Sequence, residues 1–435
     1  MKISFPQIIN VSDKIMVFGI YATAFFLPVA SAFVESFFGL ILFGYLIKGT
    51  TTFFFSLKAE RCKLSFRPRV GIFLKAYRIP STVLNLPIAM FLLIGFLTIF
   101  ISHYHYLSLK GFFFKLLQGA FLTFFLIMVI NSPRRLKIFL TLFLLSLTLI
   151  VIDGLSQYFT KVEFIRHHPI TDGRVTASFR HANDLGAYLV TVLPIVVMTF
   201  LVPGKQFPLM RKLRYFLGLL FIMTLMCLGF SFSRGAWLSA VLSFFILFLR
   251  NPKFLAVSFL AAILFGSVFV PKMLHERSSN MGTPLGALNT SNRITFWKGA
   301  LTIIKDHPIL GTGLNTYSAV GKDYKIEWPG YPHNCFLQLT AEMGLVGLMA
   351  FLWMLFRLFF NAFKNFKNMT NAFWQNILAG ALAGFFALLV HSFGDTDFYS
   401  VQLDNLMWMM VGLIVAIQHI GKEEGKILQP SIGFN

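Results

Sequence analysis

Charged side chains are scarce in this sequence of 435 residues: only 13% are Asp, Glu, Lys or Arg, whereas 56% are hydrophobic. Soluble globular proteins contain about 25% charged and roughly 45–50% apolar residues, so a water-soluble multidomain enzyme is disfavoured. The mean hydropathy of +0.72, the 54 Phe residues and the repeated apolar runs indicate instead an all-α, polytopic integral membrane protein.

Cysteine is equally rare, because the sequence contains only Cys62, Cys227 and Cys335. Three residues this far apart do not suggest a disulfide framework or a zinc site. The sequence also lacks a Walker A loop, a dinucleotide-binding glycine motif and a nucleophile elbow. These absences disfavour an ATP-driven or dinucleotide-dependent enzyme, and we expect neither a metal ion nor a cofactor.

Apolar runs that could cross a bilayer number about twelve, since a transmembrane helix needs about 20 mostly apolar residues. They lie near residues 15–30, 32–47, 84–101, 112–131, 136–155, 184–202, 213–231, 235–250, 253–270, 335–360, 374–392 and 401–419. The sequence therefore predicts one integrated membrane domain. Transmembrane helices 1–9 occupy residues 1–270, a loop region occupies 271–334, and helices 10–12 with a short tail occupy 335–435.

Basic residues outnumber acidic ones by 38 to 17, which gives a formal net charge of +21. In a soluble domain such an excess would suggest a nucleic acid partner. Most of these basic residues fall in short loops on the same side of the membrane as the N-terminus, and basic loops are typical of the cytoplasmic side. The pattern predicts cytoplasmic N- and C-termini and no nucleic acid partner.

Two segments on the opposite, outer side are too long and too polar to be simple turns: residues 156–183 and 271–334. Within the second, Arg293–His307 has apolar residues at helical spacing, which predicts an amphipathic helix on the outer membrane surface. The apolar positions are Ile294, Trp297, Leu301 and Ile304.

Arginines at the outer side are informative because a buried charge in a membrane usually faces a polar cavity. Arg234 lies in the short turn SFSRGAW, where either an anion or the membrane interface could hold its guanidinium. The tight turn favours a fixed, functional side chain. Arg180 and His181 precede the sixth predicted span, and an arginine at a helix N-terminus suits a phosphate group as well as a lipid headgroup.

His333 and Asn334 lie where the long outer loop returns to the tenth predicted span. Neutral imidazole is well suited to accept a proton near neutral pH, although a histidine at a helix start can also be a polar cap. Asp395 and Asp397 have the spacing of a metal-binding acidic pair, but their position in a short outer turn favours capping or turn chemistry.

The outer arginines Arg180, Arg234 and Arg293, together with one histidine, suit a lipid-linked diphosphate as ligand. Stabilising a departing diphosphate and deprotonating an attacking hydroxyl is sufficient for glycosyl transfer, and no metal is then required.

Two stretches of this region carry a family resemblance. NRITFWKGALTIIKDHPILGTGLNTY, residues 292–317, and PHNCFLQLTAEMGLVG, residues 332–347, resemble the signature region of the O-antigen ligase and polymerase superfamily, and the SFSRGAW turn resembles its S-R-G element. The matching positions are Arg293, Trp297, Ala300, Pro308, Gly311 and Gly313, followed by His333, Asn334, Gly344 and Gly347.

The resemblance implies a GT-C-type glycosyltransferase in the bacterial inner membrane, with its active site and long loop facing the periplasm. It implies an undecaprenyl-diphosphate-linked O-antigen as donor and a lipid A-core sugar hydroxyl as acceptor, among membrane lipids. Transfer would be inverting and would use neither metal nor nucleotide. His333 would be the general base, and the predicted substrate-binding residues are Arg180, Arg234, Arg293, His181 and Asn334.

The leading hypothesis is therefore an O-antigen ligase. One departure leaves the branch of the superfamily open, because the Gly344–Gly347 motif continues into Leu348 and Met349 instead of the Thr pair often seen in ligases. The alternatives are an O-antigen polymerase or a protein O-oligosaccharyltransferase with the same donor. A lipid or polysaccharide transporter is a more distant alternative, because no internal repeat is evident.

Overall fold

The computed structural model describes residues 4–59, 76–170, 172–202, 210–249, 263, 266–271, 291–326 and 330–427, and these residues are helical with connecting loops. The helices are α1 Phe5–Phe26, α2 Ser31–Ala59, α3 Asn85–Ile101, α4 His105–Val129, α5 Pro133–Thr160, α6 Ala182–Phe200, α7 Met210–Phe230, α8 Arg234–Phe248, α9 Ser291–Asp306, α10 Tyr317–Asp323, α11 Cys335–Lys367, α12 Ala372–His391 and α13 Val401–Ile427. A 3₁₀ turn, Asp397–Tyr399, joins the last two.

Nine of the described helices are long and apolar enough to cross a membrane, and α3 and α8 are shorter apolar helices. The predicted all-α, multi-pass architecture is therefore confirmed. The predicted span at residues 253–270 lies largely outside the described residues, so the number of twelve stays a prediction.

The first predicted span, residues 15–30, is wrong in its boundaries, because α1 runs from Phe5 to Phe26. A capping box at Ser4 starts the helix early: the Gln7 side chain accepts a hydrogen bond from the Ser4 backbone N–H at 2.8 Å. Polar residues in the first turns conceal this start from a search for apolar runs.

The centre of the bundle is formed by α6, α12 and α13, whose apolar segments are 72%, 72% and 94% buried. Small residues permit this contact: a Cβ at Gly384 of α12 would overlap the Thr191 carbonyl of α6. By contrast, α2 is only 28% buried, which suits a helix at the lipid-facing periphery.

Helix α11 is broken at Gly344, where the backbone adopts φ 67° and ψ −177°. The loop 308–313 lies against this break and satisfies the backbone groups that the helix leaves unpaired. The N–H groups of Leu345 and Val346 donate to the carbonyls of Pro308 and Ile309 at 2.8 and 3.3 Å. In the other direction, the N–H groups of Thr312 and Gly313 donate to the carbonyls of Ala341 and Glu342 at 3.0 and 2.9 Å.

Glycines make this interlock between the loop 308–313 and the break in α11 possible. Gly311 and Gly344 both have positive φ, and a Cβ at either would overlap the backbone of the opposite segment, at Glu342 and Ile309 respectively. The two glycine motifs that carry the family resemblance therefore meet in space.

The buried carboxylate of Glu342 continues the interlock. It accepts hydrogen bonds from the backbone N–H groups of Asn315 and Tyr317 at 2.6 and 3.1 Å, and from the Tyr399 hydroxyl. A buried acidic side chain is tolerated in a membrane protein when its oxygens are paired in this way. The carboxylate thus joins the loop after α9 to α11 and to the turn before α13.

The amphipathic helix predicted at Arg293–His307 is present as α9, Ser291–Asp306. Its buried side is formed by Ala300 and Ile303, which belong to the same small cluster as Ala341 of α11, whereas Ile294 and Leu301 are exposed. Together with the interlock, this packing positions Arg293 at the start of α9.

Replacing Gly344 with Ala should destabilise the protein by roughly 1–3 kcal/mol from the backbone conformation alone, and further through the overlap with Ile309. The measurement is thermal unfolding of the purified protein in detergent. Gly39→Ala is the matched control, because a Cβ at this glycine of α2 would have no atom within 4 Å and alanine favours a helix. Equal melting temperatures for the two variants would contradict the interlock.

Candidate active site

Four helix ends meet around a polar cavity of about 110 Å³: the starts of α6, α8 and α9 and the end of α12. The loops before α6 and after α12 complete it. The lining residues are Arg174, Asn183, Ser233, Arg234, Gly235, Arg293, His391, Gly394 and Asp395. A volume of this size admits several water-sized groups.

Asp395 lines this cavity, and its side chain is only 10% exposed. One carboxylate oxygen contacts His333 Nδ1 at 3.0 Å, and the other accepts a hydrogen bond from the Asn183 amide and lies 3.8 Å from the Arg293 guanidinium. The Thr396 backbone N–H donates to the same carboxylate at 2.9 Å. Asp395 therefore joins residues from α6, α9 and the start of α11.

The charge of Asp395 determines which nitrogen of His333 is free. Burial by itself would raise the pKa of the Asp395 carboxyl, but the hydrogen bond with His333 and the nearby His391 outweigh burial and hold this pKa below its ordinary value. An ionised carboxylate can only accept, so Nδ1 of His333 is the donor and Nε2 carries the lone pair. With its side chain 39% exposed, His333 presents a proton acceptor at an accessible position.

The backbone around His333 is fixed on both sides. His333 has a left-handed backbone, φ 48°, and the Asn334 side chain caps α11 by accepting from the N–H groups of Phe336 and Leu337 at 3.0 Å each. The Cys335 N–H donates to the Ser392 carbonyl at 2.9 Å, which ties the start of α11 to the end of α12. Asn334 thus has a structural role as the N-cap of α11. Its predicted contact with substrate stays a prediction.

The three arginines of the cavity differ in their partners. Arg174 donates to the Ser231 carbonyl and to the Asn183 side chain, and Arg293 pairs with Asp395. The Arg234 side chain makes no hydrogen bond or ion pair with any other residue that the structure describes. Three guanidinium groups against one carboxylate leave an excess of positive charge, which suits an anionic ligand.

Arg180 and His181 are exposed at the start of α6 and are not among the lining residues. Burial of part of the ring and the charge of Arg180 lower the pKa of His181, and Asp395 partly opposes them. The structure therefore brings Arg234, Arg293 and His333 together around Asp395, and places Arg180 and His181 beside this group.

Sequence reasoning missed Asp395, Asn183 and Arg174 as members of the site. The favoured interpretation of Asp395, capping or turn chemistry, accounts for only one of its contacts, the bond from Thr396. Its other partners lie on distant elements. A carboxylate at the same outer level as three arginines is the signal that could have identified it.

Comparison with known proteins agrees with the resemblance in the sequence. Residues 218–352 match the family described as O-antigen ligase. The matched region includes Arg234, Arg293 and His333 and covers about a third of the chain. Asp395 and Asn183 lie outside the matched region. No curated protein matches the chain.

An excess of guanidinium groups predicts that the cavity binds diphosphate. Because a hydrogen bond to a charged group contributes about 1.5–3 kcal/mol, Arg234→Ala should weaken binding of inorganic pyrophosphate by roughly 10- to 100-fold. Isothermal titration calorimetry of the purified protein measures this effect. Arg357→Ala, on the exposed surface of α11, is the matched control and should bind as the unaltered protein does. Equal affinity of both variants would contradict an anion site here.

Proposed function

Because this chain carries, at residues 218–352, the domain of the O-antigen ligase and polymerase superfamily, we propose that it is an O-antigen ligase. It transfers a glycan from undecaprenyl diphosphate to a sugar hydroxyl of the lipid A-core. The observation that carries this proposal is the hydrogen bond between His333 and Asp395, whose carboxylate lines one cavity with Arg234 and Arg293.

In this reaction Nε2 of His333 removes the proton from the acceptor hydroxyl. The hydroxyl oxygen attacks the anomeric carbon of the donor sugar, and the bond from that carbon to the diphosphate oxygen breaks. The bonding electron pair leaves with the diphosphate. Attack opposite the departing group inverts the anomeric centre.

Asp395 and the arginines have complementary roles in this step. Asp395 holds His333 in the tautomer that can accept a proton, and its charge stabilises the imidazolium that forms. Arg234 and Arg293 neutralise the negative charge that develops on the diphosphate. Arg180 and His181, at the start of α6, contact the part of the donor that lies outside the cavity, and Asn334 keeps His333 at the start of α11.

The positions of these residues agree with an active site at one end of the helical bundle, since four helix ends surround it. We place this end at the periplasmic face of the inner membrane and both termini in the cytoplasm, because the short loops on the side of the N-terminus are basic.

The proposed chemistry needs no metal, so addition of a chelator should leave the transfer rate unchanged.

His333→Ala should reduce glycan transfer by roughly 10²–10⁴-fold, because the general base is lost. Asp395→Asn should reduce it less, because a neutral amide no longer stabilises the imidazolium of His333. Transfer from undecaprenyl-diphosphate glycan to purified lipid A-core tests both. A His333→Ala variant of normal activity would refute the general base.

The O-antigen polymerase is the alternative, because the same domain serves both branches and the motif of this chain ends in Leu348 and Met349. The lipopolysaccharide profile of a deletion strain separates the two. We expect a core without any O-antigen and an accumulation of lipid-linked polymer. A core carrying a single repeat unit would instead show a polymerase.

A further inference from the structure

A second histidine–carboxylate pair lies in the wall of the same cavity. His391, the last residue of α12, is 2% exposed, and its Nδ1 lies 2.8 and 3.0 Å from the two carboxylate oxygens of Asp397. Asp397 is itself buried and also accepts a hydrogen bond from the Ser392 hydroxyl at 2.8 Å. The imidazole orientation is thus fixed by a carboxylate that is held in place.

The other nitrogen of this imidazole, Nε2, has only a weak protein partner. With Nδ1 engaged by Asp397, Nε2 lies on the cavity side. Among the described residues its hydrogen-bond partner is the Ser233 hydroxyl at 3.5 Å, the outer limit of a hydrogen bond. A buried nitrogen with this geometry remains available for a ligand.

Two glycines keep this part of the cavity open. A Cβ at Gly235 would lie 3.4 Å from Cδ2 and 3.5 Å from Nε2 of His391, so any side chain there would occupy the space next to the nitrogen. A Cβ at Gly394 would lie 3.2 Å from a guanidinium nitrogen of Arg293. The missing side chains leave room beside both cationic groups.

We propose that His391 is a further substrate-binding and proton-donating residue, which contacts the leaving diphosphate through Nε2, with Asp397 as its positioning residue. This proposal rests on the proposed function. Nδ1 of His391 faces the Asp397 carboxylate and the ring lines the cavity that would hold the diphosphate, so an imidazolium here would have an anionic partner on each side.

Both histidines move a proton in this step. When the bond from the anomeric carbon to the diphosphate oxygen breaks, its electron pair stays on that oxygen, and the Nε2 proton of His391 moves to it. His333 receives the proton of the acceptor hydroxyl. One imidazolium is formed and one is consumed, so the two histidines exchange protonation states during a turnover, and solvent restores them.

Gly235→Ala tests this proposal without disturbing the pair of His391 and Asp397. Alanine fits the helix and makes ordinary van der Waals contact with the imidazole, so the variant should fold, but its methyl group occupies the ligand position. We expect at least tenfold weaker binding of undecaprenyl diphosphate and a comparable loss of transfer, with an unchanged melting temperature. Gly39→Ala, in α2, is the control and should match the unaltered protein in both.

His391→Asn provides the second test, because asparagine can keep a donor near the Nδ1 position toward Asp397 while Nε2 is removed. It should lose undecaprenyl diphosphate affinity at least tenfold, and transfer should fall further than affinity because a proton donor is also lost. His103→Asn, at an exposed position before α4, is the control. Normal diphosphate binding by both Gly235→Ala and His391→Asn would overturn the proposal.

Binding and transfer together separate the two hypotheses. If diphosphate binding depends on His391 and Gly235 but the unaltered protein transfers no glycan to the lipid A-core, the ligase function is refuted. The diphosphate site at His391 is then still supported. If glycan is transferred and neither variant differs from the unaltered protein, the function stands and the role of His391 is refuted. An unaltered protein that does not bind undecaprenyl diphosphate would refute both.

Discussion

The interlock between the loop 308–313 and the broken helix α11 is the constraint on which the site depends. A helix interrupted inside a membrane leaves backbone groups that lipid cannot satisfy, and here four hydrogen bonds from one loop satisfy them. The loop comes directly from α9, which carries Arg293, and α11 begins next to His333. One backbone arrangement therefore relates the positions of Arg293 and His333, and Gly311 and Gly344 are the residues that permit it.

Charge balance within the cavity follows from this arrangement. Asp395 is the common partner of His333, Arg293 and Asn183, so a single carboxylate orients the histidine and restrains one of the arginines. The Arg234 side chain has no such partner among the described residues. For the proposed diphosphate, the cationic groups are therefore already in place before binding, which lowers the reorganisation that binding requires.

The helical membrane architecture and the amphipathic helix α9 could be predicted because apolar length and helical spacing are local properties of the sequence. Arg234, Arg293 and His333 could be selected for a related reason, since charges at the outer side are costly without a partner. Asn183 could not, because its contact with Asp395 joins α6 to the loop after α12, and no local pattern encodes such a contact. The early start of α1 was missed because a capping box begins it among polar residues.

The distribution of the site over the chain limits how the protein can be divided. The region that matches the O-antigen ligase family contributes Arg234, Arg293 and His333, but Asn183 precedes it and Asp395, Asp397 and His391 follow it. A fragment limited to residues 218–352 would contain a histidine without its carboxylate and arginines without their counter-charge. The part of the chain needed to assemble the complete site is consequently larger than the region by which the family is recognised.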